Sequence, residues 1–335
     1  MTVADSLRLI DDLARSESGR VLRQELGRRW PETADQLSAI ARYALLPAGK
    51  LLRPIMALHA AEAVGGSPAD VLAAALGMEY LHVATLVHDD IIDGDELRRG
   101  RPSVHAAYGI PDAIVAGDHL IFSAFSAIAD EGGSLPAVRV AAAAAALAAA
   151  GRDLCRGQML ESELVGDLDA GSLWYLEMIR LKTGALFRAV CHIGALLGGA
   201  DPETACGLAR YGEHVGIAFQ IRDDLLDYLA GPEQTGKAAA SDLRNGRPTL
   251  PLLLAYDAGS DPQRLELLAM LERRGADEGD AERVIELFDD TGVVGYARHQ
   301  MTTHVEFADA ELAALDPSPS VDVLAGIARW TSEGP

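Results

Sequence analysis

Apolar residues recur every three or four positions through nearly every long segment of this chain, while β-branched runs alternating with polar residues are missing. That period buries one face of a helix and cannot keep one face of a strand buried. Ala and Leu, both strong helix formers, dominate the same segments. The expected fold class is all-α. Breakers at Gly65-Gly66-Ser67-Pro68, Gly109-Ile110-Pro111, Gly132-Gly133, Gly198-Gly199, Gly231-Pro232 and Asp316-Pro317-Ser318-Pro319 cut the chain into roughly ten or more helices.

A length of 335 residues admits one large domain or two fused ones. No segment has the composition of a linker and no repeat-length period is present, so a single domain over 1–335 is expected. The formal charge of −21 argues against a nucleic-acid partner, because phosphate backbones are bound by basic faces. Any phosphorylated ligand must then be held locally, by clustered cations or metals. Cys155, Cys191 and Cys206 have no C-x-x-C spacing and suggest neither a zinc site nor a disulfide framework, which fits a reducing cytoplasm. The first twenty residues lack the basic and apolar regions of a signal peptide. The apolar tract from Val140 to Ala150 is too short to span a bilayer and reads as a buried helix, so no transmembrane segment is expected.

Both halves of the chain contain a helix ending in D-D-x-x-D. The first, His88-Asp89-Asp90-Ile91-Ile92-Asp93, closes the apolar segment LGMEYLHVATLV. At about 100° per residue Asp89 and Asp93 share one side, Asp90 lies beside them, and His82 sits two turns earlier on that side. The second, Asp223-Asp224-Leu225-Leu226-Asp227, ends YGEHVGIAFQIR, with Gln220 one turn before Asp223. Carboxylates following an apolar segment are costly to bury without positive compensation. Mg²⁺ is the natural partner, since it takes one or two carboxylates and leaves positions for phosphate oxygens. A lone motif of this kind also describes a solvated acidic helix end; two copies, each behind an apolar segment, favour a metal cluster around a diphosphate.

Over about 48–252 the chain resembles the trans-isoprenyl diphosphate synthase (polyprenyl synthetase) family, through AGKLLRP, HDDIIDGDELRRGRPSVH, GDHLIFSAF, GQMLE, KTGAL, FQIRDDLLD and GKAAASDLRNGRPTLPL in that order. The resemblance implies a helical bundle of the isoprenoid-synthase type around a central cavity, three Mg²⁺ ions and a homodimer, with C-terminal helices over 253–335. It implies condensation of isopentenyl diphosphate with an allylic diphosphate. Lys50, Arg53, His82 and Arg99 would take isopentenyl diphosphate. Asp89, Asp93 and Asp223 would hold metals, with Asp90, Asp224 and Asp227 beside them. Arg98, Lys182, Thr183, Gln220, Lys237 and Arg247 would contact the allylic diphosphate or its leaving group. Their chemistry agrees, because Arg offers a planar fork of donors and Lys a compact charge. The stretch from Gly231 to Arg247 reads either as a lid over the diphosphate or as an ordinary connecting loop.

Product length in this family depends on bulk below the first motif. Thr85, Leu81 and Met78 continue the stripe of Asp89, with Ala84 adjacent, and the small residues at 84 and 85 imply a product of C20 or longer. Leu81, Met78, Phe122 and Phe125 are the candidate floors. The chain departs from the family's G-G-K-R/K-x-R-P element at Ala48 and Leu51, and Arg247 stands where the late motif carries Lys. A class I terpene cyclase shares the first Asp motif but needs no second diphosphate site. A phosphohydrolase read from His82 and His88-Asp89 leaves the second motif unexplained. A non-catalytic subunit of a heteromeric synthase often lacks the aspartates, and all six are present here.

Overall fold

The computed structural model describes residues 3–130, 135–229, 240–277 and 279–333. Helices α1 (Val3–Arg15), α2 (Glu17–Arg29), α3 (Gln36–Leu45), α4 (Leu52–Ala63) and α5 (Leu72–Asp93) lead into a two-stranded antiparallel ribbon, β1 (Leu97–Arg98) and β2 (Arg101–Pro102). There follow α6 (Val104–Tyr108), α7 (Ile110–Asp130), α8 (Ala137–Leu164) and α9 (Ser172–Ile179), a π-helical turn over Arg180–Gly184, α10 (Ala185–Gly198) and α11 (Pro202–Leu229). Further helices over Ser241–Asn245, Leu250–Ala258, Asp261–Glu272, Asp280–Thr291, Val293–Leu312 and Pro319–Ser332 complete the described chain. The all-α expectation holds, with the short ribbon and the π-turn as additions.

The breakers act where their chemistry predicts. Gly199, at φ +95°, ends α10, and Gly94, at φ +70°, ends α5 immediately after Asp93. Ser16, Asp35 and Ser318 cap α2, α3 and the last helix by accepting from backbone N–H groups. The breakers at Gly132-Gly133 and Gly231-Pro232 lie outside the described residues.

α5 packs along α7, and α10 packs against α4, α8 and α11. The interior comprises two apolar clusters. One gathers α1 to α5, α7, α10 and the last helix; the other lies among α9, the Leu250–Ala258 helix and the helices that follow. α11 serves both: Ala205, Leu208, Tyr211, Val215 and Ala218 face the first, and Ile217, Ile221, Leu225 and Tyr228 the second. Its Asp motif therefore stands at the seam. The tract from Val140 to Ala150 departs from expectation, since Ala143, Leu147 and Ala150 are buried while Ala141, Ala145 and Ala148 are exposed. Only one helical face finds a neighbour within the chain. α7 contains the one described stretch, Ile110–Ala129, long and apolar enough to cross a membrane by length and composition. Its inner face, with Ala113, Ala116, Leu120 and Ala124, belongs to the core.

α4 and α10 approach closely through Gly194, where a Cβ would lie 2.3 Å from the Ala57 carbonyl oxygen. Backbone cannot yield as a flexible side chain does. Gly194→Ala is expected to lower stability by about 1–3 kcal/mol by forcing the two helices apart, as read from the urea midpoint of unfolding.

Candidate active site

Asp89 and Asp93 occupy the last two turns of α5, where the helix dipole presents its negative end. Carboxylates there need cations close by. The π-turn brings Lys182 and the loop before Leu250 brings Arg247. Lys182 Nζ lies 2.5 Å from Glu161 Oε2 of α8. Arg247 Nη2 lies 2.6 Å from Asp93 Oδ1, and its other nitrogens reach Asp242 at 3.6 Å and Glu161 at 3.8 Å. Burial raises the Asp89 pKa; Lys182 and Arg247 pull it down, and Asp93 and Glu161 push it up. Burial opposes the charge of Arg247, but Glu161, Asp93 and Asp242 outweigh that and raise its pKa. The approach of Lys182 depends on Gly157 of α8, where a Cβ would fall 2.4 Å from the Lys182 backbone nitrogen.

Thr183 of the π-turn donates through Oγ1 to Gln220 Oε1 of α11 at 2.7 Å, and Gln220 Nε2 donates to Asp224 Oδ1 at 2.8 Å. The Tyr175 hydroxyl donates to the other Asp224 oxygen. Asp224 is buried, and desolvation followed by the field of Asp242 holds its pKa well above the usual carboxylate range. Asp227 accepts from Ser241 Oγ at 2.6 Å and from the Asp242 backbone at 2.9 Å, fixing the Ser241–Asn245 turn. Asp223 is exposed. Glu161, Lys182, Gln220, Asp224, Asp242 and Arg247 thus line one cavity of about 130 Å³.

The six aspartates divide into groups. Asp89 and Asp93 look toward Lys182 and Arg247, while Asp224 and Asp227 are engaged in the frame of α11. Asp90 turns to another side of α5, where it is buried and accepts from Arg98 Nε at 2.8 Å. Arg98 also lies 3.8 Å from Asp95. Asp90 and Arg98 line a separate hollow with Arg99 and Tyr43, away from the cavity of Lys182.

A second group of cations surrounds α5 nearer its middle. Arg53 Nη1 lies 3.2 Å from His82 Nε2, and the guanidinium stacks 4.5 Å above the Phe187 ring. Burial lowers Arg53 to about 10, against the pull of Glu79 and Asp223. Its Nε is buried without a partner. Burial, reinforced by Arg53, Arg99 and Arg98, drives the His82 pKa well below 6.5, so the ring is neutral at pH 7. Glu79, 4% exposed, has its pKa raised by burial against the pull of Arg53 and Arg99. Arg99 lies against Gly49, where a Cβ would sit 2.7 Å from its Nη2. Lys50 stands apart from Arg53 and His82: it is exposed and reaches outward to Asp11 at 3.8 Å.

Met78, Leu81 and Ala84 are buried in the first cluster, and the Thr85 hydroxyl donates to the His82 carbonyl at 2.7 Å. Phe125 packs against that cluster, but Phe122 is 71% exposed on α7 and cannot floor an internal tunnel. Lys237 and most of the loop read as a lid lie outside the described residues. Glu161, Glu79, Tyr175 and Asp242 escaped the sequence reading. Glu161 had a signal, as the last residue of GQMLE, and Glu79 stands one turn before His82.

Among the described residues no three acidic, His or Cys side chains converge tightly enough to chelate an ion unaided. Asp89 and Asp93, with Glu161 in their field, are oxygen donors of the kind a hard cation takes one or two at a time, completing its shell with phosphate and water oxygens. A polyprenyl synthetase family model matches residues 34–288. The short chain isoprenyl diphosphate synthase of Methanothermobacter thermautotrophicus is 36% identical over 99% of both chains. The geranylgeranyl pyrophosphate synthetase of Pyrococcus horikoshii superposes with a TM-score of 0.88 at 32% identity, covering 97% of this chain and 98% of that one. The polyprenyl synthase of Caulobacter crescentus, solved with calcium and isoprenyl diphosphate, gives a TM-score of 0.87 at 30% identity over 97% of each.

A depressed His82 pKa means that the unfolded chain binds a proton near pH 6.5 while the folded chain does not. Stability is therefore full above that pH and falls as pH drops below it. His82→Gln removes this component, so the stability lost between about pH 6.5 and 5 should shrink by up to about 1.4 kcal/mol per pH unit. Urea titrations of both proteins across that range provide the check.

Proposed function

The chain belongs to the polyprenyl synthetase family of trans-prenyltransferases, and from that premise we propose that it joins isopentenyl diphosphate head-to-tail to an allylic diphosphate, giving a product of C20 or longer. One observation carries this reading: an acidic group around Asp89 and Asp93 and a separate anion-binding group, made of desolvated Arg53, neutral His82 and exposed Arg99, flank the same helix, with Asp223 in the field of Arg53. A cyclase needs only the first group.

Asp89, Asp93 and Asp223 are proposed to hold magnesium, up to three ions, with Asp224 and Asp227 supporting them through Gln220 and the Ser241–Asn245 turn. When bound, magnesium neutralises charge on the allylic diphosphate and its leaving group. Lys182 and Arg247 hold the departing pyrophosphate as its carbon–oxygen bond breaks, with Thr183 and Gln220 setting its orientation. Arg53, Arg99 and neutral His82 fix the second diphosphate so that the isopentenyl double bond meets the allylic carbon. The new carbon–carbon bond leaves a tertiary cation, and loss of a proton to the released pyrophosphate restores an allylic product. Arg98 acts from behind α5 by holding Asp90.

The small side chains of Ala84 and Thr85 leave room for growth, which supports the longer product. The match over residues 34–288 supports one synthetase domain. Ile114, Val115 and Phe122 of α7 and Val138 of α8 are exposed apolar residues whose burial between two copies would form a homodimer. Three free cysteines suit a reducing cytoplasm.

The purified protein, given magnesium, isopentenyl diphosphate and allylic primers of several lengths, is expected to yield polyprenyl diphosphates of C20 or longer by mass. Hydrocarbon from the allylic substrate alone, or no elongation by folded protein, would refute the proposal. Ala84→Phe should shorten the product, and an unchanged length removes Ala84 from the growth path. Phe122→Glu should halve the mass measured by light scattering if α7 forms the dimer contact.

A further inference from the structure

The chain carries 29 basic residues against 50 acidic ones, yet four cations gather on one small surface. Arg15 at the end of α1, Arg20 and Arg23 of α2, and Lys50 line a cleft of about 500 Å³ whose one acidic side chain is Asp11. Arg15, Arg20 and Arg23 make no ion pair among the described residues. Arg23 directs its guanidinium to backbone carbonyls, those of Ala14, of Gly19 at 3.3 Å and of Gly49 at 3.2 Å. It is therefore a fixed positive charge in the cleft wall, neutralised by no carboxylate. Lys50 has only a 3.8 Å contact with Asp11.

The position of this cleft gives it meaning. Gly49 stands between two cationic surfaces: its carbonyl faces Arg23, and its Cα lies against the Arg99 guanidinium. One residue thus separates the cleft from the Arg53–His82–Arg99 group, and Lys50 follows it on a long, flexible stem. The cavity lined by Lys182, Gln220, Asp224 and Arg247 has other walls.

We propose that this cleft is an entry site that captures the diphosphate head of isopentenyl diphosphate and passes it by way of Lys50 to Arg53, His82 and Arg99. The proposal rests on the prenyltransferase reading above. A protein of net charge −21 repels a diphosphate at long range. A local basic cleft reverses that field where the homoallylic substrate must arrive and raises its capture rate. The allylic substrate, bound on the acidic side, gains nothing from it.

The test is the double variant R15A/R20A, both exposed residues outside the proposed reaction machinery. At low ionic strength the KM for isopentenyl diphosphate should rise about tenfold, with kcat and the allylic KM unchanged. The difference should vanish at about 0.5 M salt, where screening is strong. R15K/R20K should restore the wild-type value, which separates charge from misfolding. Calorimetric titration with inorganic pyrophosphate, without metal, supplies a readout independent of turnover, and affinity should fall in R15A/R20A. If wild-type protein binds pyrophosphate through the cleft but elongates nothing, the prenyltransferase reading fails while the anion site stands. Unchanged KM and pyrophosphate affinity, or an equal rise in both substrates' KM, overturns the entry site.

Discussion

Charges brought into an apolar helical bundle must find each other, and in this protein the pairing of Lys182 and Arg247 with Asp93 and Glu161 meets that need. Each of these side chains comes from a different element. These side chains are partly buried, 13–21% exposed, so removing one partner leaves its mate's charge poorly compensated, and the cluster ties α5, α8, the π-turn and the Arg247 loop to one arrangement. α11 completes it because it belongs to both apolar clusters and carries its Asp motif where they meet. The same residues that make the seam electrostatically demanding are those best placed to receive a diphosphate.

The second cation group is held by aromatic packing. Arg53 lies on Phe187, Phe187 meets Phe219 at 5.5 Å, and Phe219 meets Trp330 of the last helix at 5.9 Å. Arg222, immediately before the second Asp motif, stacks 4.2 Å from Trp330. Although the C-terminal stretch has no basic cluster of its own, this column connects it to Arg53. Burial then removes protonation from His82, leaving the positive charge to the arginines and making the imidazole a neutral hydrogen-bonding group.

The helices were legible because a period near 3.6 and the Gly and Pro breaks are local properties, written within each segment. The ribbon at Leu97–Pro102 escaped because two-residue strands have no period to detect. The π-turn escaped because no composition marks one extra residue in a helix. Asp89, Asp93, Lys182 and Gln220 were legible from spacing and motif order. Asp242 was not, because its proximity to Arg247 and Asp224 arises only from packing across the chain, and Glu79, though one turn before His82 on α5, meets Arg53 and Arg99 only through packing. Lys50 shows the converse: its motif associates it with Arg53 three residues on, but Leu51, at φ +55°, lies between them. The Lys50 side chain consequently leaves the helix that carries Arg53 and points toward α1. Asp90, one position from Asp89, is likewise turned about 100° around the helix, enough to pair it with Arg98 instead.

The π-turn over Arg180–Gly184 has a consequence for how this protein can change over generations. Deleting one residue to restore ordinary helix would rotate everything after it by about 100°, and α10, with Gly194 locked against α4, cannot turn without dismantling the first cluster. Point substitution can alter the chemistry of position 182, but its spacing to the core is inherited with the fold. Insertions and deletions should therefore be purged from this turn more strictly than amino-acid replacements, because here a local irregularity and the register of the whole interior form a single heritable unit.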